Sequence, residues 1–167
     1  CTRLKTINIP ESVKSIGGEA FYKTNVTTFT LPDGIEWIGA SAFVFTPQYT
    51  AYNNSSSQMD LYIGNYLIKV ATSKSGEYTV REGTVAIADK ALEGCASITA
   101  INLPDSLTSI SDYAFYGCAG LMDITIPDTL NSEERKLVEK LSEQPHFKRA
   151  ESVESQNIFE RMKNFFR

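Results

Sequence analysis

A chain of 167 residues, 42% hydrophobic and 22% charged, has the composition of an ordinary globular domain or short array. No apolar run approaches the roughly 20 residues of a transmembrane helix, and the first residues show no basic segment followed by an apolar one. The formal net charge of −4 argues against a nucleic-acid partner, because phosphate binding needs a clustered basic surface.

Residues 1–43 hold two copies of one pattern. Cys1, Leu4, Ile7, Ile9, Pro10, Glu11, Val13, Ile16, Ala20 and Phe21 form the first, and Val26, Phe29, Leu31, Pro32, Asp33, Ile35, Ile38, Ala42 and Phe43 the second. In each, the alternating run before Pro reads as a short strand that ends where Pro removes a ladder donor. The later Ala-Phe pair is expected on a short helical or 3₁₀ turn, with Phe21 and Phe43 driven into the core.

Residues 44–77 break the register. Phe45, Tyr49, Tyr52 and the polar run 53–58 predict a protruding loop, and Leu61 to Val70 predicts a hairpin turning at Gly64-Asn65. Loops projecting from a rigid scaffold often carry function, and tyrosine is enriched at binding hot spots. Tyr49, Tyr52 and Tyr62 are therefore the expected partner contacts.

Residues 78–130 return to register. A loose copy runs through Tyr78, Val80, Glu82, Ile87, Ala91 and Leu92, with Arg81 and Thr84 replacing the usual Pro and apolar residue. The fullest copy runs from Cys95 to Cys118, and a half copy holds Leu121, Ile124, Ile126, Pro127, Asp128 and Leu130. The Pro slot, at positions 10, 32, 81, 104 and 127, recurs at intervals of 22, 49, 23 and 23 residues. A period in this range marks a solenoid, in which each coil leaves an apolar face that only its neighbours cover. The 49-residue interval holds an enlarged coil.

Residues 131–167 leave the repeat. Asn131 with Glu134 opens a helix that Pro145 stops, and Ile158, Phe159, Met162, Phe165 and Phe166 share a second helical face. A solenoid end needs covering, so this tail is expected to be a helical C-terminal cap. The domains are thus a 1–130 solenoid, enlarged at 44–77, and a 131–167 cap. The solenoid carries 8 Lys and Arg against 13 Asp and Glu, or −5, and the cap 8 against 7, or +1.

Cys1, Cys95 and Cys118 share a slot nine residues before a Pro, so the chain is expected to begin inside a repeat. The same slot holds Thr24 and Thr46 elsewhere, which favours free, buried thiols at Cys95 and Cys118 over a disulfide. The single histidine, His146, lies beside Phe147 with no partner for catalysis or metal binding in sequence, and no phosphate-loop or zinc-binding motif occurs. Glu11, Asp33, Glu82, Asp105 and Asp128 occupy one slot, and stacking would align their carboxylates about 5 Å apart. Such a row suits Ca²⁺ or acid–base work on a polysaccharide, but a turn acid that accepts local N–H groups and faces water explains it more simply. No cofactor is expected.

The form Cys-x-x-Leu-x-x-Ile-x-Ile-Pro-Asp-x-Val-x-x-Ile-x-x-x-Ala-Phe resembles the BspA-like leucine-rich repeats. Ile7, Ile9, Pro10, Ile16, Ala20, Phe21 and the whole of Ile98 to Cys118 carry the likeness. The resemblance implies an α/β repeat solenoid, a strand-rich right-handed leucine-rich-repeat superhelix with short helical turns. It further implies a surface or secreted bacterial protein that adheres to host or matrix proteins or to other cells. The expected function is therefore a non-enzymatic protein-protein interaction or adhesion module with a protein partner. A carbohydrate-active solenoid using the acidic row, and an intracellular repeat scaffold, are the alternatives.

Overall fold

The computed structural model describes residues 3–55, 59–111 and 113–125. Cys1, Asp128, His146 and the expected 131–167 cap lie outside the described residues. Within them the chain winds through about five strand-rich coils. Each regular coil contributes a longer strand before the Pro slot and a two-residue strand after it. The longer strands are β1 (Thr6–Asn8), β3 (Thr28–Thr30), β7 (Gly76–Thr79), β9 (Ile98–Asn102) and β11 (Asp123–Thr125), and the short ones β2 (Ser15–Ile16), β4 (Trp37–Ile38), β8 (Ala86–Ile87) and β10 (Ser109–Ile110).

Equivalent strands pair in parallel and in register. Ile7 lies opposite Phe29, Ile101 opposite both Tyr78 and Ile124, and Ile87 opposite Ile110. Alternation sends Phe29, Tyr78, Ile87, Ile101, Ile110 and Ile124 toward the core, with Ile7 half-buried, while Thr6, Asn8, Thr28, Thr30 and Thr79 face outward. The turns after β1, β7 and β9 are each closed by an i to i+3 bond: Val13 N–H donates to the Pro10 carbonyl at 3.0 Å, Thr84 to Arg81 at 3.2 Å and Leu107 to Pro104 at 3.0 Å. Thr84 thus keeps the turn that its apolar counterparts make.

The corners around the Ala-Phe pair differ from the expected helical turn. Each is a succession of tight turns, such as Ala20 N–H to Gly17 and Tyr22 N–H to Glu19, with left-handed residues four apart. Glu19 and Lys23, Ser41 and Phe45, Lys90 and Gly94, and Tyr113 and Gly117 all have positive φ. Two left-handed residues per corner cannot belong to a right-handed helix. Glycine adopts this conformation freely, whereas Lys23 and Phe45 hold it at a cost of about 1–2 kcal/mol each.

At the corners the Thr/Cys slot satisfies a carbonyl. Thr24 Oγ1 donates to Phe21 O at 2.9 Å, Thr46 Oγ1 to Phe43 O at 2.7 Å, and Cys118 Sγ to Leu92 O at 3.2 Å. Cys95 and Cys118 are free, buried thiols. Phe43 is fully buried and stacks on the half-buried Phe21, with centroids 5.4 Å apart.

The third coil interrupts both ladders. The expected hairpin forms from β5 (Leu61–Ile63) and β6 (Tyr66–Lys69), antiparallel about Gly64 and Asn65. β6 continues the short-strand sheet onto β8, but β5 covers its other edge, so β4 pairs only with β2. In the longer-strand sheets, β3 and β7 likewise stay unpaired with each other. Residues 47–53, expected as part of a protruding loop, instead form α1 (Pro47–Asn53). Thr46 accepts from Tyr49 N–H as N-cap and Pro47 opens the first turn, a start signal that the sequence carried.

Instead of continuing the stack, the first two coils pack against the outer face of the second group's short-strand sheet. Ser111 Oγ accepts from Ile38 N–H at 3.3 Å, Ser109 Oγ donates to the Glu36 carbonyl, and Asp89 N–H donates to Ile38 O at 2.8 Å. Tyr66 crosses the same seam, donating to Pro32 O and accepting from Ile35 N–H at 3.2 Å. Ala86, Ala88 and Ser111 are small enough for this close approach, and all three are buried. One continuous core results, joining Ile35 and Ile38 to Leu67, Ile87 and Ile110.

Candidate interaction surface

The structure places the three expected contact tyrosines in two locations. Tyr49 and Tyr52 sit on α1 with ring centroids 5.8 Å apart, and both pack against the core while staying half-buried. Burial pushes the Tyr49 hydroxyl up, helped by the Glu93 carboxylate, and pushes Tyr52 up to about 12. Tyr62 lies on β5, under the Arg81 guanidinium at 4.0 Å from its ring centroid, and its hydroxyl accepts from Arg81 N–H at 3.2 Å. Arg81 also donates to the Gly64 carbonyl at 2.6 Å. This hairpin tip therefore carries an ordered cation over an aromatic face.

A small cleft opens at the seam, lined by Ser41, Val44 and Tyr49 on one side and by Lys69, Lys90 and Glu93 on the other. Lys69 donates to the Lys90 carbonyl at 3.0 Å, and Glu93 lies 3.8 Å from Lys69 and 3.6 Å from Lys90. The charges in this group are mutually satisfied.

Glu11, Asp33, Glu82 and Asp105 are all exposed. The unpaired ladders separate Asp33 from Glu82, and Asp33 accepts from Asn65 Nδ2 at 3.1 Å. Among the described residues, no group of three His, Cys, Asp or Glu side chains converges in a geometry that could hold a metal ion. Also among the described residues, no helix is long and apolar enough to cross a membrane.

The sequence model of the BspA type leucine-rich repeat region matches residues 1–69 and 62–165, in six copies. The chain belongs to this family. The BspA-type repeat thus accounts for the slots of both coil groups, and its two matched stretches overlap within the hairpin. A comparison with curated proteins found no match. Among solved structures, the chain is similar to a leucine rich cell surface protein from Faecalibacterium prausnitzii A2-165, at 23% identity and a TM-score of 0.38, over 75% of this chain and 42% of that one. It is also similar to the T. pallidum leucine-rich repeat protein, at 16% identity and a TM-score of 0.29, over 74% and 59%. The chain spans less than two thirds of either protein.

Aromatic side chains absent from the sequence-based contact set are more exposed than the three tyrosines. Phe45 is 56% exposed, Tyr113 48% and Tyr116 37%. They lie on the coil corners, where Tyr22 meets Phe45 edge-on at 5.4 Å and Tyr113 meets Tyr116 at 6.1 Å. Lys23 Nζ stands 5.1 Å from the Tyr22 centroid and 5.6 Å from that of Phe45, and Lys90 Nζ 6.0 Å from that of Tyr116. The available signal was slot comparison, because Gly94 and Gly117 occupy the position that Phe45 fills with an aromatic ring.

Proposed function

We propose that this chain is a non-enzymatic interaction module of the adhesion type, belonging to a bacterial surface or secreted protein and binding a protein partner. Membership of the BspA-type repeat family carries the reading. Parallel, in-register coils give a rigid frame, and rigid frames lower the ordering cost of binding. The contact is the α1 and hairpin surface, with Tyr49, Tyr52 and Tyr62 as its aromatic residues and Arg81 beside them. Tyr and Arg are the side chains most often found to dominate such surfaces.

The test is a binding screen of the purified chain against extracellular-matrix and host-surface proteins, with calcium and with chelator. A saturable protein ligand that ignores calcium is expected, with affinity lost when Tyr49, Tyr52 and Tyr62 are changed to alanine in a variant whose circular dichroism is unchanged. Binding that survives the triple change removes these tyrosines from the contact, and calcium dependence redirects attention to the acidic row.

A further inference from the structure

At the second left-handed position of the corner, the two later coils use Gly94 and Gly117, whereas the first two use Lys23 and Phe45 with φ of 55° and 62°. Burial does not compensate for these choices. Phe45 is 56% exposed, and Lys23 is exposed with no carboxylate within 4.0 Å among the described residues. Strain kept where glycine would relieve it, in side chains that the core does not use, is the mark of a contact site.

The two residues meet. Lys23 Nζ stands over both the Tyr22 and Phe45 rings, so a fixed ammonium borders an exposed aromatic face. The corner backbone is already committed, with Tyr22 N–H on Glu19 O, Lys23 N–H on Val44 O and Thr46 N–H on Phe43 O. A peptide strand would find no open edge there to pair with. We infer that Tyr22, Lys23 and Phe45 form a binding site for a carboxylated pyranose, whose C–H face stacks on Phe45 while its carboxylate pairs with Lys23.

Lys23 is an unneutralised cation in an acidic chain, and so selects a single anionic group rather than a polyanion. The later corner with Tyr113, Tyr116 and Lys90 differs, because Lys90 Nζ already lies 3.6 Å from the Glu93 carboxylate. The inference rests on reading the chain as an interaction module and adds a second class of ligand to it.

The experiment titrates the purified chain with a hyaluronan hexasaccharide and a sialylated trisaccharide, and with neutral chitohexaose as control, followed by ligand-observed NMR. At least one carboxylated probe is expected to bind with a Kd in the millimolar range or tighter, weakening with salt and at least tenfold tighter than chitohexaose. Phe45→Gly and Lys23→Gly are each expected to weaken it tenfold or more while Tm stays unchanged or rises, because glycine relieves the strain. Equal binding of chitohexaose, unchanged affinity in either variant, or a Tm loss of several degrees in Phe45→Gly would overturn the site. Tighter binding of a Glu-rich decapeptide would assign the corner to a protein instead. If no saccharide binds but a matrix protein still does, the site falls and the broader reading stands; failure of both screens removes both.

Discussion

The backbone N–H of Arg81 donates to the Tyr62 hydroxyl at 3.2 Å. In three other coils this slot is Pro10, Pro32 or Pro104, which has no N–H to satisfy. Where the repeat loses its proline, the hairpin supplies an acceptor, and the Arg81 guanidinium folds back over the same ring. Tyr62 and Arg81 are therefore one unit, and a double-mutant cycle with Tyr62→Leu and Arg81→Ala, which removes the ring and the guanidinium, should show coupling of about 0.5–1 kcal/mol by urea denaturation. Additive single effects would remove it.

Tyr66 is fully buried, and its hydroxyl joins Pro32 O to Ile35 N–H across the seam. Tyr66→Phe keeps the ring and leaves both backbone groups without that partner. Stability should fall by about 1–3 kcal/mol, with little change in the far-ultraviolet spectrum. A variant as stable as the parent would show that the hydroxyl does not hold the seam.

The thiols of Cys95 and Cys118 are pushed up by burial to about 11 and about 12, from an ordinary value of 9.0. The folded state therefore holds these protons more tightly than the unfolded chain does. That contribution is complete below pH 9 and is lost as pH rises through 11 to 12, so stability should decline over this window. Tyr52 and Tyr78, both raised chiefly by burial, act in the same direction. At pH 8 the native thiols should resist iodoacetamide and react promptly in urea.

Coils stack closely at Gly39. A Cβ there would stand 2.5 Å from Gly18 N and 2.6 Å from the Trp37 ring, whereas one at Gly17 meets nothing within 4 Å. Gly39→Ala is expected to cost about 1–3 kcal/mol, and Gly17→Ala to be neutral or slightly stabilising. Thermal melts of the two variants side by side separate close packing from general loss of glycine freedom.

The coil pattern was legible because apolar residues recur at fixed slots: Ile7 pairs with Phe29, and Ile101 with Ile124, as the repeat slots require. The hairpin was legible through Gly64 and Asn65, which have a local conformational reason to be there. The corners were obscured because Lys23 and Phe45 stand where glycine would have announced left-handed backbone. The seam left only a faint trace. Ala86, Ala88, Ser109 and Ser111 are small at positions where a water-facing strand would accept long polar side chains, and their partners lie far away in sequence. The exposed corner aromatics were missed because periodicity weighs core slots and says little about which outward residues are used.

The contact between Glu36–Ile38 and Ser109–Ser111 joins residues 73 apart in the chain. In a simple stack, stability is a sum over nearest neighbours, and an end coil can fray or be deleted with only its own loss. Here the second coil rests on the coil of residues 95–118, so the early and late coil groups share one seam. Trimming the chain after Pro104 would remove the Ser109 and Ser111 bonds to Glu36 and Ile38 along with the coil that carries them. Unfolding should accordingly be one concerted transition, and refolding should be slowed by the long loop that must close before the seam can form.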